Sequence, residues 1–592
     1  MPLRMSEGDR SLLDQIKKDL SPSGGVFLFG VLIFLATFLV YFPALQAGFL
    51  WDDRMWILEN KTFGSWSGLR EIWLNPLGFT AYYPFTATSF WLEHFVWQFE
   101  PFGYHLTNVL LHALNSILIG ILLTRFKVRA AWFAAAIFAL HPVNVESVAW
   151  ITERKNVLSY FFYLVALGTY LRSGSWRTYL LALGLFACAL LSKTVTCTLP
   201  FAILILLWWK NGRLERRDFA RMVPFFVLGL GAGLVLIWTE HSQGAQGAGF
   251  QWSFLERLLI AGRAFWFYLG KLFWPGDLSY IYPKWAVDTK AFWQYLYPVG
   301  LPALFLLFWV FRRQFGIGPP VGQLFLFVTL APALGFVNHT YMQFSFAADH
   351  FQYHAMIGPV ALFATAFLRL FPRLSLRGSN PDEAEAISER RLLRRPFGLL
   401  AMTLLSILGV NRKGDRSFLV GLSKDLSPFL PFLCVVSILM TLSLLTWQLT
   451  PVYKDEETFW RYNLSKNPEA WISHYNLGVA LQEKGDLLGA LDAYSSTLRL
   501  KPDYAEAHNN LGLILNGRGN VTEALLHFRA ALRSRPDYSA AHTNLGIALA
   551  KQGRIEKAVF HFSEALRLDP HHEGGIHNLQ AALARKKNAA PL

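Results

Sequence analysis

The sequence predicts an all-α protein in two parts, a polytopic helical membrane domain followed by an α-solenoid. Three observations carry this. Of the 592 residues, 53% are hydrophobic and 16% aromatic, more than a soluble chain usually carries. Several uncharged runs are long enough to cross a bilayer, which takes ~20 apolar residues. Toward the C-terminus, a short pattern recurs at a spacing of 34 residues, the mark of a repeat array.

Residues 1–23 are polar and expected on the cytoplasmic side. The run from Gly24 to Ala47 carries no charge. It is too long for a signal-peptide core and no A-x-A site follows it, so it is expected to remain as the first span. It ends at Gly48-Phe49-Leu50-Trp51-Asp52-Asp53-Arg54, which opens a first loop over 48–104, aromatic and broken by Gly and Pro. Spans are then expected at 105–124, 130–149, 156–171, 177–192, 196–209, 222–238, 294–311, 319–337, 353–371 and 428–449. These give about eleven spans within a membrane domain of residues 24–452. The mixed aromatic segment 251–291 is expected to hold a re-entrant or interfacial helix. Phe397 to Val410 is apolar but short, and is read as interfacial.

Basic residues set the orientation. They cluster at Arg125, Lys127 and Arg129, at Arg172 and Arg177, from Lys210 to Arg221, and at Arg312 and Arg313. These alternate loops are expected inside, as is the loop 372–426 with its ten Lys/Arg, which leaves the Asp52–Asp53 loop outside. From Tyr453 onward, 17 Lys/Arg stand against 15 Asp/Glu, so nearly all of the net charge of +15 lies in the membrane part. That distribution fits cytoplasmic loops and anionic lipid and argues against nucleic acid as a partner. The chain is therefore expected in a bacterial inner membrane or its equivalent. Cys188, Cys197 and Cys434 all lie in apolar runs, so neither a disulfide framework nor a zinc site is implied.

The tail, 453–592, is expected outside the cytoplasm. Asn476-Leu477-Gly478, Asn510-Leu511-Gly512 and Asn544-Leu545-Gly546 recur with Ala490, Ala524 and Ala558, aromatic Tyr494, Phe528 and Phe562, and Pro502, Pro536 and Pro570. This is the tetratricopeptide pattern of two antiparallel helices per unit, here in repeats 471–504, 505–538 and 539–572. Phe459 to Pro468 suits half of an earlier repeat, and Ile576 to Leu583 a capping helix. Stacked repeats form a concave surface that suits a protein partner or an acceptor segment. Asn476, Asn510 and Asn544 are expected either to line that groove as a peptide-binding ladder or to bridge neighbouring helices. The connection Thr450 to Lys454 is short, so the array is held near the outer face of the bundle, where it would concentrate an acceptor.

Ionisable residues at membrane depth are costly and usually functional. Many gather at the outer end: Asp52, Asp53, His141, Glu146, Glu153, Arg154, Lys155, Lys193, Lys271, Asp349 and His350. Two adjacent carboxylates near low dielectric push one pKa upward, which suits a general base. Cations suit a phosphate. For any one lysine the plainer account is snorkelling at the interface. The histidines show no ligand spacing such as H-x-x-x-H, so no metal ligand is assigned and no cofactor is fixed, a divalent metal being left open.

Phe49-Leu50-Trp51-Asp52-Asp53 resembles the first-loop acidic motif of GT-C glycosyltransferases. The stretches Tyr104 to His112, His141 to Ala149, Gly270 to Pro275 and Ala348 to Tyr353 resemble the transmembrane-and-tetratricopeptide (TMTC-type) proteins, similar to protein O-mannosyltransferases. The resemblance implies a GT-C-type membrane domain. It also implies an inverting transferase that takes a sugar from a polyprenyl-phosphate donor, on the extracytoplasmic side, to a hydroxyl, as on protein Ser/Thr. In that reading Asp52 or Asp53 is the base. Arg154, Lys155, Lys193 and Lys271 hold the donor phosphate, with His141, Glu146, Asp349 and His350 in support. Two stretches depart from the family pattern: His350-Phe351 stands where Arg-Tyr is usual, and Thr194 where Glu is usual. The competing expectation is a non-catalytic membrane anchor that displays repeats for envelope assembly.

Overall fold

A computed structural model describes residues 22–78, 82–172, 174–242, 250–370, 430–571 and 573–589. The basic loop 372–426, with its short apolar stretch 397–410, and nearly all of the N-terminal segment lie outside the described residues. Among the described residues the regular structure is helical throughout.

The membrane part runs α1 (Pro22–Val40), α2 (Trp66–Leu74), α3 (Pro84–Trp97), α4 (Pro101–Arg125), α5 (Ala131–Leu140), α6 (Val145–Ala149), α7 (Arg154–Arg172), α8 (Trp176–Ser192), α9 (Leu199–Asn211), α10 (Arg216–Ser242), α11 (Phe254–Phe273), α12 (Leu296–Val310), α13 (Gly318–Leu330), α14 (Ile357–Leu370) and α15 (Leu430–Leu449). Five helical segments are long and apolar enough to cross a bilayer: Pro101–Arg125, Thr194–Asn211, Arg216–Ser242, Phe292–Val310 and Leu430–Tyr453. The pair α5 and α6 would make a sixth, and four further apolar helices have 10–17 residues. The segment expected as one span over 130–149 is therefore two helices bent by 52°, and the first loop carries α2 and α3.

Small residues let the helices approach, as membrane packing requires. A Cβ on Gly358 of α14 would meet the Gly322 carbonyl of α13 at 2.7 Å, and one on Gly262 of α11 would meet Pro298 at 2.6 Å. Outward faces of α1, α10, α12 and α15 keep large apolar side chains exposed, as lipid contact demands. α11 is amphipathic. It begins with a Ser253–Glu256 capping box, and buries Leu259, Ile260, Ala264, Phe265 and Tyr268 while Phe254 and Phe273 stay exposed.

The solenoid follows as α16 (Glu456–Lys466), α17 (Trp471–Glu483), α18 (Leu487–Leu500), α19 (Ala505–Gly517), α20 (Val521–Ser534), α21 (Ser539–Lys551), α22 (Ile555–Leu568) and α23 (Glu573–Ala589). Its repeated glycines have a steric cause. A Cβ at Gly478, Gly512 or Gly546 would sit 2.7, 2.8 or 2.5 Å from the ring of Tyr494, Phe528 or Phe562. The aromatic of the second helix thus fills the space that glycine vacates on the first. Ala490, Ala524 and Ala558, fully buried, complete each hairpin core.

Candidate active site

The site begins with the break between α5 and α6. Pro142 has no N–H to give the Phe138 carbonyl four residues back, and the chain turns there. Freed carbonyls at this depth need other donors, and the sequence supplies three. Asn144 Nδ2 donates to Phe138 O at 2.7 Å, and His112 Nε2 lies 3.0 Å from Ala139 O. Thr446 Oγ1, from α15, donates to Leu140 O at 2.7 Å. The predicted helper His141 is taken up locally, its Nε2 3.1 Å from Leu272 O and its Nδ1 accepting from Val143 N at 3.3 Å. It is a backbone brace.

The polar side chains of α4 hold the same chain on its far side. Asn108 Nδ2 donates to Trp150 O at 3.0 Å, and Asn115 Nδ2 to Val157 O at 2.8 Å. Arg154 is fully buried and fully engaged. Its guanidinium reaches Asn108 Oδ1 at 2.5 Å, Tyr104 O at 2.7 Å and Glu93 Oε2 at 2.8 Å. It also lies over the Phe90 ring. The expectation that Arg154 binds phosphate is therefore revised: its donors are spent on fixing α3, α4 and the start of α7.

The acidic turn follows α1. The two aspartates differ in environment. Asp53 is fully buried. One carboxylate oxygen accepts from Leu50 N and the other from Thr152 N, both at 2.8 Å. Burial pushes this carboxyl up to about 7 against those two amide bonds. Asp53 closes the turn and pins it to the α6–α7 connection. Asp52 is half-buried, and among the described residues its side chain makes neither a hydrogen bond nor an ion pair. Burial raises its pKa, Lys155 lowers it and Glu153 raises it again. Of the pair, Asp52 alone has a carboxylate free to take a proton. Arg54–Leu58 then makes a single π-helical turn, a form common beside functional sites.

The cations form one group around Glu153. Its Oε1 lies 2.8 Å from Lys155 Nζ and its Oε2 3.7 Å from Lys193 Nζ. Lys193 also donates to Asn156 Oδ1 at 2.7 Å, and Asn156 in turn donates to Glu153. Burial pushes the Glu153 carboxyl up, but His350, Lys155 and Lys193 draw it down to about 2. Burial lowers Lys193 to about 8, partly offset by Glu153. Lys155 is pushed down by burial, yet Glu153 and Asp52 carry it above the usual lysine value. Lys155 keeps some solvent exposure.

Behind this group lies a second, more enclosed one. His350 Nδ1 is 2.5 Å from Glu146 Oε1, and the His350 amide donates to Glu146 Oε2 at 3.2 Å. One proton must lie between the two side chains, and burial lowers the His350 pKa. Asp349 takes the Tyr282 hydroxyl on both oxygens, at 2.9 and 3.0 Å. Burial raises its carboxyl to about 7, against that hydroxyl and Lys271. Glu146, Asp349, Tyr280, Tyr453 and Asn463 line a cavity of about 10 Å³, room for about one water.

The structure thus brings together Asp52, Glu153, Lys155 and Lys193, with Glu146, Asp349 and His350 behind them. Lys271 is not in the Glu153 group; it lies beside the Asp349–Tyr282 pair, with its ammonium engaged by backbone. Its Nζ donates to Gly276 O and Asp277 O at 2.6 and 3.1 Å and lies 5.1 Å from the Tyr282 ring centre. Asn156 and Tyr282 were not legible as site residues, because a lone amide or phenol beside an apolar run carries no spacing signal. Among the described residues no group of three or more His, Cys, Asp or Glu side chains is arranged to hold a metal. In the repeats, Asn510 Nδ2 donates to the Tyr475 and Tyr494 hydroxyls, each at 3.4 Å. Asn544 Nδ2 donates to Asn509 Oδ1 at 2.9 Å, and Asn476 is buried. Of the two roles expected for these asparagines, Asn510 and Asn544 take the bridging one.

Residues 460–505, 475–539 and 517–573 match the tetratricopeptide repeat family. The chain is also similar to curated proteins of animals. It is 33% identical over 181 residues to protein O-mannosyl-transferase Tmtc1 of Drosophila melanogaster, covering 27% of this chain and 20% of that protein. It is 30% identical over 169 residues to protein O-mannosyl-transferase TMTC3 of Mus musculus, covering 26% and 18%. With protein O-mannosyl-transferase TMTC1 of Homo sapiens it shares 30% over 217 residues, 32% of this chain and 24% of that protein. The chain therefore spans no more than 24% of the length of these relatives.

Proposed function

We propose that this protein is a membrane glycosyltransferase of GT-C type that moves a sugar from a polyprenyl-phosphate donor to a hydroxyl acceptor, Ser or Thr of a protein. The names of the similar proteins support the mannosyl-transfer class. One arrangement supports the site: Asp52, whose side chain makes no hydrogen bond or ion pair among the described residues, interacts electrostatically with Lys155 and Glu153, and Glu153 in turn holds Lys155 and Lys193.

The chemistry follows from those positions. Lys155 and Lys193 bind the donor phosphate and stabilise the charge that grows on it as the glycosidic bond breaks. Glu153 and Asn156 orient both ammonium groups. Asp52 accepts the proton of the attacking hydroxyl. Attack opposite the departing phosphate inverts the anomeric centre, and the transition state has oxocarbenium character. Arg154, Asp53 and His141 keep the backbone in place. The loops that carry the site lie at the extracytoplasmic end, and the solenoid with them.

The test uses full-length protein in lipid nanodiscs with a labelled polyprenyl-phosphate mannose and a Ser/Thr peptide. Transfer to peptide is expected, and its loss in Lys155→Ala with Lys193→Ala. No transfer from mannosyl, glucosyl or N-acetylglucosaminyl donors would favour the anchor reading instead.

A further inference from the structure

The turn that carries Asp52 is held from the solenoid side. Trp51 has a φ of +35°, a conformation that costs a bulky L-residue energy and persists only when its surroundings impose it. Four rings surround its indole: Trp460 at 5.1 Å, Tyr280 at 5.5 Å, Trp150 at 6.1 Å and Phe344 at 6.2 Å between centres. Trp460 belongs to α16. The Trp51 amide donates to Glu456 Oε1, also on α16, at 3.2 Å. Gly48 N donates to Lys454 O at 2.9 Å. On the far side of Asp52, Arg54 Nη1 reaches both oxygens of Glu483, the last residue of α17, at 2.7 and 2.6 Å. Residues 48, 51 and 54 are thus each fastened to the segment 454–483, and the base candidate lies between the last two fasteners.

The C-terminal half of α16 is also fixed to the membrane domain. Asn463 Oδ1 accepts from Ser279 Oγ at 3.1 Å and Ile281 N at 3.0 Å, Tyr462 donates to Leu278 O at 2.9 Å, and Lys466 pairs with Asp277 at 2.7 Å. α16 is therefore a fixed strut and not a tethered module.

We infer that the start of the solenoid is a positioning part of the transfer site: Glu456 and Glu483 hold the Trp51–Arg54 turn so that the Asp52 carboxylate faces Lys155. This deepens the transferase reading and rests on it. An array acting only to recruit acceptor would need no contact with this turn, whereas the strained Trp51 sits inside a cage that the array completes. Displacement of a catalytic group by ~1 Å costs as much as 10²-fold in rate.

The experiment compares Glu456→Ala with Glu456→Gln in full-length protein. Gln keeps an oxygen that can accept from Trp51 N, and Ala does not. The expected result is a fall of about tenfold or more in kcat for Glu456→Ala, with the donor KM unchanged and kcat restored in Glu456→Gln. Hydrogen exchange of the peptide covering residues 48–58 is measured alongside. It should quicken in Glu456→Ala and return to the wild-type rate in Glu456→Gln. Glu483→Ala gives a second variant at a surface pair whose loss leaves folding nearly intact, and it should act in the same direction. Unchanged kcat or unchanged exchange in both Ala variants overturns the inference. Wild-type protein without transfer would defeat the transferase reading, and exchange would still decide whether α16 orders the turn.

Discussion

The two aspartates are adjacent in sequence, and the structure predicts opposite consequences for losing them. Asp52→Asn removes a proton acceptor that makes no side-chain hydrogen bond among the described residues. Loss of a general base costs 10²–10⁴-fold, or about 3–5 kcal/mol of barrier. Removing a partly buried charge should leave stability level or improve it, because burial opposes the ionised form. Asp53→Ala deletes the acceptor of two buried amides, Leu50 N and Thr152 N, each at 2.8 Å. An orphaned buried donor costs ~1–3 kcal/mol, so the pair costs roughly 2–6 kcal/mol. Transfer to a Ser/Thr peptide and thermal unfolding, both in nanodiscs, separate the two. Asp52→Asn should lose transfer with an unchanged midpoint, and Asp53→Ala should lose the midpoint first. An active Asp52→Asn would refute the base assignment. So would an Asp52→Asn protein as unstable as Asp53→Ala, since Asp52 would then be structural too.

Three further outcomes are expected. Burial holds the folded Lys193 at about 8 against an ordinary 10.5, so its charge is present below pH 8 and is lost as pH rises through it; the donor KM should climb above pH 8, and in Lys193→Arg that alkaline limb should vanish. The unfolded chain binds the extra proton between those values, so Lys193 should add stability with rising pH across that window. Asn144→Ala leaves the Phe138 carbonyl unpaired at the helix break and should cost ~1–3 kcal/mol, read by thermal unfolding. Deleting 471–592 removes Glu483, the partner that fastens Arg54 beside Asp52, so transfer to water and to peptide should fall alike. Sparing of the water reaction would show that the repeats only recruit acceptor.

Much of this was legible in the sequence, for identifiable reasons. The repeats were, because glycine, alanine and aromatic residues at fixed spacing answer one steric need, the ring of each second helix against the glycine of the first. The tall apolar helices were, because hydropathy reports lipid contact directly. The break at His141 was not, since Ala130 to Ala149 reads as one apolar run, and only Pro142 with Asn144 hints at a turn. The roles of Asp53 and Arg154 were hidden for a different reason. A charged residue near the membrane surface looks the same in sequence whether it meets substrate or backbone. Burial with every donor or acceptor engaged decides that, and burial is a property of the packed chain.

The same distinction bears on how the proposed site would be switched on. The Glu146–His350 pair shares one proton and, in its buried neutral form, adds no net charge. An arginine at position 350 would stay charged and add a fixed cation. Around the reacting centre this leaves Lys155 and Lys193 against Glu153 and Asp52, two charges of each sign. A donor phosphate entering that balance makes the local field negative, and a nearby negative charge raises a carboxyl pKa. Asp52, already raised by burial, would then hold a proton more strongly with the donor bound than without it. Its basicity would be greatest in the loaded site, whichever hydroxyl enters it, and weakest in the empty one.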